Sequence, residues 1–199
     1  MTALPEPIPQ PLEVDHLLTV AEYAALGETE HGYTELQEGR LVMSPSPRPN
    51  HAFALFRLAK QLDEQLPEHL DLLPDIDIDL ELAGPDELGF SRRPDLIVAD
   101  LAGIKRAEES GRLISAKDVL IVVEIVSPSS RRTDHVIKHG EYADAGIPHY
   151  WIIDLTEPVS LTACHLAPGF GYQNAPEVSG RTTLPEPFPL EIDLGQLSR

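Results

Sequence analysis

Apolar positions along this chain recur with two periods, one of a helix and one of a strand, and turn residues separate them. Thr19 is placed to cap a short helix, Val20 to Leu26, that stops at Gly27. Tyr33 to Leu36 and Leu41 to Met43 read as two strands joined by the turn Gln37-Glu38-Gly39-Arg40. The prolines of Ser44-Pro45-Ser46-Pro47-Arg48-Pro49 lack amide donors and end that pairing. Asn50 is then expected to cap a helix from His51 to about Leu66, burying a stripe of Phe53, Leu55, Phe56, Leu58, Ala59, Leu62 and Leu66.

Asp75 to Leu82 alternates acid and aliphatic residues, which predicts a strand with one buried face and its acids in solvent. Pro94 to Ala99 and Val119 to Val126 predict two more strands. The second is almost wholly aliphatic, as expected at the centre of a sheet covered on both sides. Thr133 predicts the start of a helix ending near Ala145, with Gly146 and Pro148 as its stop. Tyr150 to Asp154 follows as a strand, and Val159 to His165 with Gly169 to Gln173 as a peripheral hairpin. The proline-rich end from Leu184 closes the fold. Residues 1–16, rich in proline, read as a loosely ordered arm before one domain over 17–199.

Composition narrows the class. A chain of 199 residues with 42% hydrophobic and 24% charged residues is an ordinary globular protein, and no apolar stretch approaches the roughly 18 residues of a membrane span. The first residues lack the basic start and apolar block of a secretory signal. Cys164 is the single cysteine, which excludes an intramolecular disulfide and a cysteine metal cage and suits the cytoplasm. The net charge of −18 is the reverse of a DNA binder's usual footprint. DNA would have to be gripped through a local basic patch, or bound weakly and with strong salt dependence.

The chemistry centres on Glu124, a carboxylate inside an aliphatic strand. Burying it is costly unless a cation meets it, so it is either clasped by a core arginine or lysine or it holds a metal; the metal is the expectation. Asp95 opens the preceding strand. Alone it is an ordinary Pro-Asp turn residue, but on a neighbouring strand its carboxylate can converge with Glu124, and a divalent ion resolves their repulsion. Magnesium suits a site with one or two carboxylates. Lys138 either pairs with Asp134 on the helix surface or folds back to the site, where its charge can orient a nucleophile. His135 and His139 have the spacing of a zinc pair, yet Val136 stands where a metalloprotease needs glutamate. Ser127, Ser129 and Ser130 lack the glycine frame of a nucleophile elbow.

Several separated motifs occur in order: Tyr33-x-Glu35-Leu36-x-x-Gly39, Ser44-Pro45-Ser46-Pro47 with His51, Arg93-Pro94-Asp95-Leu96, Val123-Glu124-Ile125-Val126-Ser127-Pro128-Ser129-Ser130, Asp134-x-x-x-Lys138-x-x-x-Tyr142, and Gly146-Ile147-Pro148-x-Tyr150-Trp151. Over residues 20 to 165 the chain resembles the Uma-two family of restriction endonuclease-like proteins, within the PD-(D/E)XK nuclease superfamily. That resemblance implies a restriction-endonuclease-like α/β fold, a mixed sheet flanked by helices. It implies Asp95 and Glu124 as acids of a magnesium or manganese site, with Glu35 as a third acid. Val126 occupies the usual lysine position, and Lys138 is where a lysine moved to the next helix would fall. His51 is either a substrate or support residue or a packing residue. Tyr142 is expected to pack the helix and steady the lysine.

The function expected is metal-dependent hydrolysis of DNA phosphodiester bonds by an endonuclease, with a homodimer plausible because duplex cleavage needs two cuts. The rival readings are a non-catalytic binding or scaffold protein that keeps the fold, and a metal hydrolase of other phosphate esters.

Overall fold

The computed structural model describes residues 15–27, 33–43, 46–126 and 130–198. The N-terminal arm up to residue 14, Ser44-Pro45 and Ser127-Pro128-Ser129 lie outside the described residues. In chain order the elements are α1 (Val20–Leu26), β1 (Thr34–Gln37), β2 (Arg40–Met43), α2 (Pro49–Asp63), β3 (Leu70–Pro74), β4 (Ile78–Asp79), β5 (Ser91–Arg92), β6 (Leu96–Asp100), α3 (Leu101–Ser110), β7 (Ile114–Ser115) and β8 (Val119–Val126). A wide π-helical turn, Thr133–Lys138, then runs into α4 (His139–Asp144). The chain ends in β9 (His149–Asp154), β10 (Ser160–Ala167), β11 (Gly171–Asn174), β12 (Val178–Ser179), β13 (Arg181–Leu184) and β14 (Leu190–Asp193).

The main sheet runs β11-β10-β9-β8-β6-β3, with β12 also paired to β10. Within this sheet, among the described residues, β8 and β9 are the one parallel pair, and the wide turn and α4 lie in the connection between them. Strand β8 is central, as its aliphatic run predicts, and its side chains alternate between two cores. Ile121, Val123 and Ile125 face α2, with Leu58 and Leu62, and the β13-β14 hairpin, with Leu190 and Ile192. Val122 and Val126 face the other way, toward Tyr142, Tyr150, Ile147 and Ile78. A smaller sheet, β2-β1-β5-β4-β7, lies beside this second core and carries Glu35 on β1 and Arg92 on β5.

Helix α1 forms as its sequence dictates. Thr19 accepts from the Glu22 amide, and the Glu22 carboxylate accepts from the Thr19 amide, closing a capping box. Five expectations are corrected. Helix α2 begins at Pro49, after Arg48, and ends at Asp63; Pro49 supplies the fixed φ of a first helical residue, so Asn50 is not its cap. Phe56, placed in the buried stripe by periodicity, is 67% exposed. Asp75 to Leu82 is not one strand: only Ile78–Asp79 pairs, because Asp75 and Glu81 turn into positive φ and break the alternation. Thr133 caps nothing and sits within the π-helical turn, with Arg131 and Arg132 already helical before it. Strand β10 pairs with β9 from Ser160 to His165, so that hairpin belongs to the main sheet, with β11 at its edge.

Candidate active site

Strand register brings the two acids together. Leu96 on β6 pairs with Val123 on β8 in an antiparallel ladder, so Asp95, one residue earlier, stands opposite Glu124, one residue later. Alternation places both on the sheet face that carries Val122 and Tyr142. Asp95 Oδ2 accepts from the Ile125 amide at 2.6 Å and pairs with His51 Nε2 at 3.1 Å. Its anchor is therefore the backbone of the strand that holds Glu124.

Glu124 is 4% exposed and Lys138 7%. The ammonium lies 2.9 Å from Glu124 Oε1, and the Tyr142 hydroxyl donates to the same oxygen at 2.8 Å. Lys138 and Tyr142 are four residues apart, one helical turn, which is how one helix face reaches one carboxylate oxygen. The surface pair of Lys138 with Asp134 is not formed; Lys138 points inward. Its second carboxylate is Glu35, at 3.1 Å.

Glu35 does not line the cavity. Its Oε2 accepts from Arg92 at 2.8 Å, and its Oε1 accepts from the Arg93 amide at 3.2 Å. Arg92 in turn donates twice to Glu141 on α4, at 2.6 and 2.8 Å. A chain of alternating charge thus runs Glu124, Lys138, Glu35, Arg92, Glu141. Arg92 and Glu141 escaped sequence reasoning. Their only sequence signals are the paired arginines before Pro94 and the position of Glu141, three residues past Lys138 and on the same helix face.

Electrostatics follow from burial. Loss of hydration pushes the Glu124 carboxyl above its ordinary value, opposed by Lys138 and reinforced by Asp95, Asp134 and Glu35. Burial also acts to raise Glu35, but Lys138 and Arg92 outweigh it and hold that carboxyl below its ordinary value. For His51, burial acts to lower the imidazole, but the hydrogen bond and charge of Asp95 outweigh it and raise it. Lys138 loses hydration, yet Glu124 and Glu35 raise it overall. The imidazole Nδ1 of His51 is buried without a hydrogen-bond partner.

Asp95, Glu124, Lys138 and His51 border a cavity of about 440 Å³, lined also by Arg48, Arg93, Tyr33 and Asp134 among others. Arg93 is held by two bonds to Asp77 and lies under the Tyr33 ring, 4.9 Å from its centre. Asp77, expected in solvent, is committed to that contact and to the Tyr23 hydroxyl. His139 packs edge-on against Tyr150 and Tyr172 and bonds Asn174, whereas His135 is exposed, so the two histidines form no pair.

Among the described residues no group of three or more His, Cys, Asp or Glu side chains is placed to hold a metal ion by itself. The donor chemistry nonetheless fits magnesium or manganese, which accept one or two carboxylates and complete their shell with water. Asp95, Glu124, Glu35 and Glu141 set four carboxylates against the two cations Lys138 and Arg92.

The architecture is a mixed sheet with α2 against one face and α4 against the other. A crystal structure described as a putative nuclease belonging to DUF820 from Anabaena variabilis has that fold: TM-score 0.66, 21% identity, 90% of this chain and 97% of that one covered. No curated protein matches the chain. Residues 20–195 match the family described as "Uma2: Putative restriction endonuclease", and the chain belongs to that family. No helix among the described residues is long and apolar enough to cross a membrane.

Proposed function

We propose that this chain is a magnesium- or manganese-dependent endonuclease that hydrolyses phosphodiester bonds in DNA. One observation carries the reading: Asp95 and Glu124 face each other across adjacent strands, with the Lys138 ammonium on Glu124, at the wall of a solvent-connected cavity. Membership of a restriction endonuclease family supports DNA as the substrate.

Asp95 and Glu124 are the residues that would hold the ion, with Asp95 oriented by the Ile125 amide. When bound, the ion supplies a lowered water pKa and screening of phosphate charge. Lys138 then donates from its fixed position toward the attacking water or the phosphate oxygen on which charge grows. Tyr142 holds the Glu124 carboxylate in one rotamer so that its other oxygen is presented consistently. Arg48 and Asn50, at the start of α2, line the same cavity and offer donors to a neighbouring phosphate.

Supercoiled plasmid incubated with and without Mn2+ tests the proposal. Nicking or linearisation that requires Mn2+ and disappears in Glu124→Gln and Asp95→Asn is the expected result; cleavage undiminished in both variants sinks the assignment. The net charge of −18 favours a second reading, a non-catalytic protein that keeps the fold. That reading predicts a plasmid left intact under every condition. A panel of small phosphodiesters separates hydrolysis of other phosphate esters from either.

A further inference from the structure

We infer that Glu35 is a positioning residue for Lys138 rather than a metal ligand, and that Arg92 and Glu141 hold it in that role. The inference rests on the nuclease reading and deepens it.

Three facts carry it. First, both Glu35 oxygens are engaged by cations or amides: Oε2 by Arg92, Oε1 by Lys138 and the Arg93 amide. A carboxylate so saturated has little capacity left for an ion. Second, Glu35 lies behind the ammonium and not on the cavity wall that Asp95 and Glu124 share. Third, Arg92 is 3% exposed, and two bonds to Glu141 orient its guanidinium plane, so the remaining fork arm meets Glu35 in one geometry.

The arrangement answers a problem set by the mechanism. Lys138 is held by Glu124, yet Glu124 must give electron density to a divalent ion when the site is loaded. A lysine whose sole partner was Glu124 would be released or repelled at that moment. Glu35 supplies a second carboxylate, 3.1 Å away, that is not asked to bind the ion. The ammonium keeps its place while Glu124 changes partners. Arg92 serves the converse need: it prevents Glu35 from swinging toward the ion, and Glu141 ties the assembly to the helix on which Lys138 sits.

The test uses the full chain carrying Glu35→Gln, with three readouts. Manganese affinity, measured by titration calorimetry without nucleic acid, stays close to the parent's. The 15N-ammonium NMR signal of Lys138, sharp when the group is fixed between two carboxylates, broadens or vanishes. On plasmid or oligonucleotide substrate kcat falls about 100-fold, the scale of a misplaced reacting group, with KM unchanged. A loss of manganese affinity beyond the roughly 100-fold that removal of a non-ligating neighbour can cost marks Glu35 as a ligand and overturns the inference. An unaltered ammonium signal overturns it as well. Should the parent cleave no nucleic acid, the nuclease reading falls, and the ammonium signal still decides whether Glu35 holds the lysine. If Glu35→Gln does not fold, Glu141→Gln takes its place: a weakened Lys138 signal with manganese binding retained upholds the chain of contacts, and an unchanged signal refutes it.

Discussion

The Lys138 ammonium and Glu124 Oε1 sit 2.9 Å apart in a part of the molecule almost closed to water, and they reach it from a helix and a strand fourteen positions apart. Two consequences compete there. The pair cancels part of the charge that burial penalises, and it occupies an oxygen that a metal ion would also seek. More carboxylates lie around the ammonium than it engages: it meets Glu124 and Glu35, while Asp95 is held by the Ile125 amide and His51.

Removing the ammonium should expose that excess. Lys138→Ala leaves two buried carboxylates without their common cation and is expected to cost about 3 kcal/mol, the lower end for breaking a buried pair, since Glu124 takes up a proton in response. Manganese should still bind and should raise the melting temperature more in the variant than in the parent, while cleavage is lost. Circular dichroism melts with and without Mn2+ check this; a variant that binds no manganese makes Lys138 structural.

Tyr142→Phe removes one donor to Glu124 and changes little else in the packing. A hydrogen bond to a charged group contributes about 1.5–3 kcal/mol, so urea unfolding should show a loss in that range. Cleavage should fall modestly, since Lys138 still meets the carboxylate. A variant as stable as the parent would show that the hydroxyl is better solvated elsewhere.

The His51–Asp95 contact sets a pH dependence in the metal-free protein. Burial acts to lower the folded-state pKa of His51, but the hydrogen bond and charge of Asp95 outweigh it and leave it raised. More protons are then bound in the folded than in the unfolded state around neutrality. The stabilisation is complete below the unfolded value of about 6.5 and is lost as pH rises through the higher folded value. Melting temperature recorded from pH 5.5 to 8.5 should decline on this limb in the parent and be flatter in His51→Gln. Equal slopes in both would remove His51 as the source.

Gly89 is a close-packing position under α1. A Cβ there would lie 2.5 Å from Leu36 Cδ2 and 2.7 Å from the Val20 amide nitrogen, and the second of these is backbone that cannot step aside. Gly89→Ala should destabilise by about 1–3 kcal/mol and displace β1, the strand that carries Glu35. Denaturant unfolding measures the first effect, and the Lys138 ammonium signal reports the second.

Where physics is local, the chain announced its structure. The capping box at Thr19 and Glu22 specifies α1, and the run Val119 to Val126 can be satisfied only at the centre of a covered sheet. The facing of Asp95 and Glu124 needed one assumption, that their strands are neighbours, and the β6-β8 ladder supplies it. Elsewhere long-range contacts overrode the pattern. Asp75 to Leu82 alternates as a strand should, but the Arg93 guanidinium draws Asp77 across, and the backbone turns at Asp75 and Glu81. Strand β3, with a proline and few β-branched residues, carries little strand signal and forms because β6 offers an open edge. Arg92 and Glu141 become a pair only once β5 and α4 are packed together, so nothing adjacent in the chain couples them.

The wide turn at Thr133–Lys138 is wound as a π-helix, whose hydrogen bonds span one residue more than those of an α-helix. Each helical residue rotates the following ones by about 100°, so that single surplus residue sets the angle at which the whole downstream helix meets the sheet. Deleting one residue within Thr133–Ile137 would restore ordinary winding, and the strand β9 that follows would no longer dock in register unless Lys138 and Tyr142 swung away from Glu124. The reach of the amine into the interior is thus a matter of helical phase, governed by an insertion of length one.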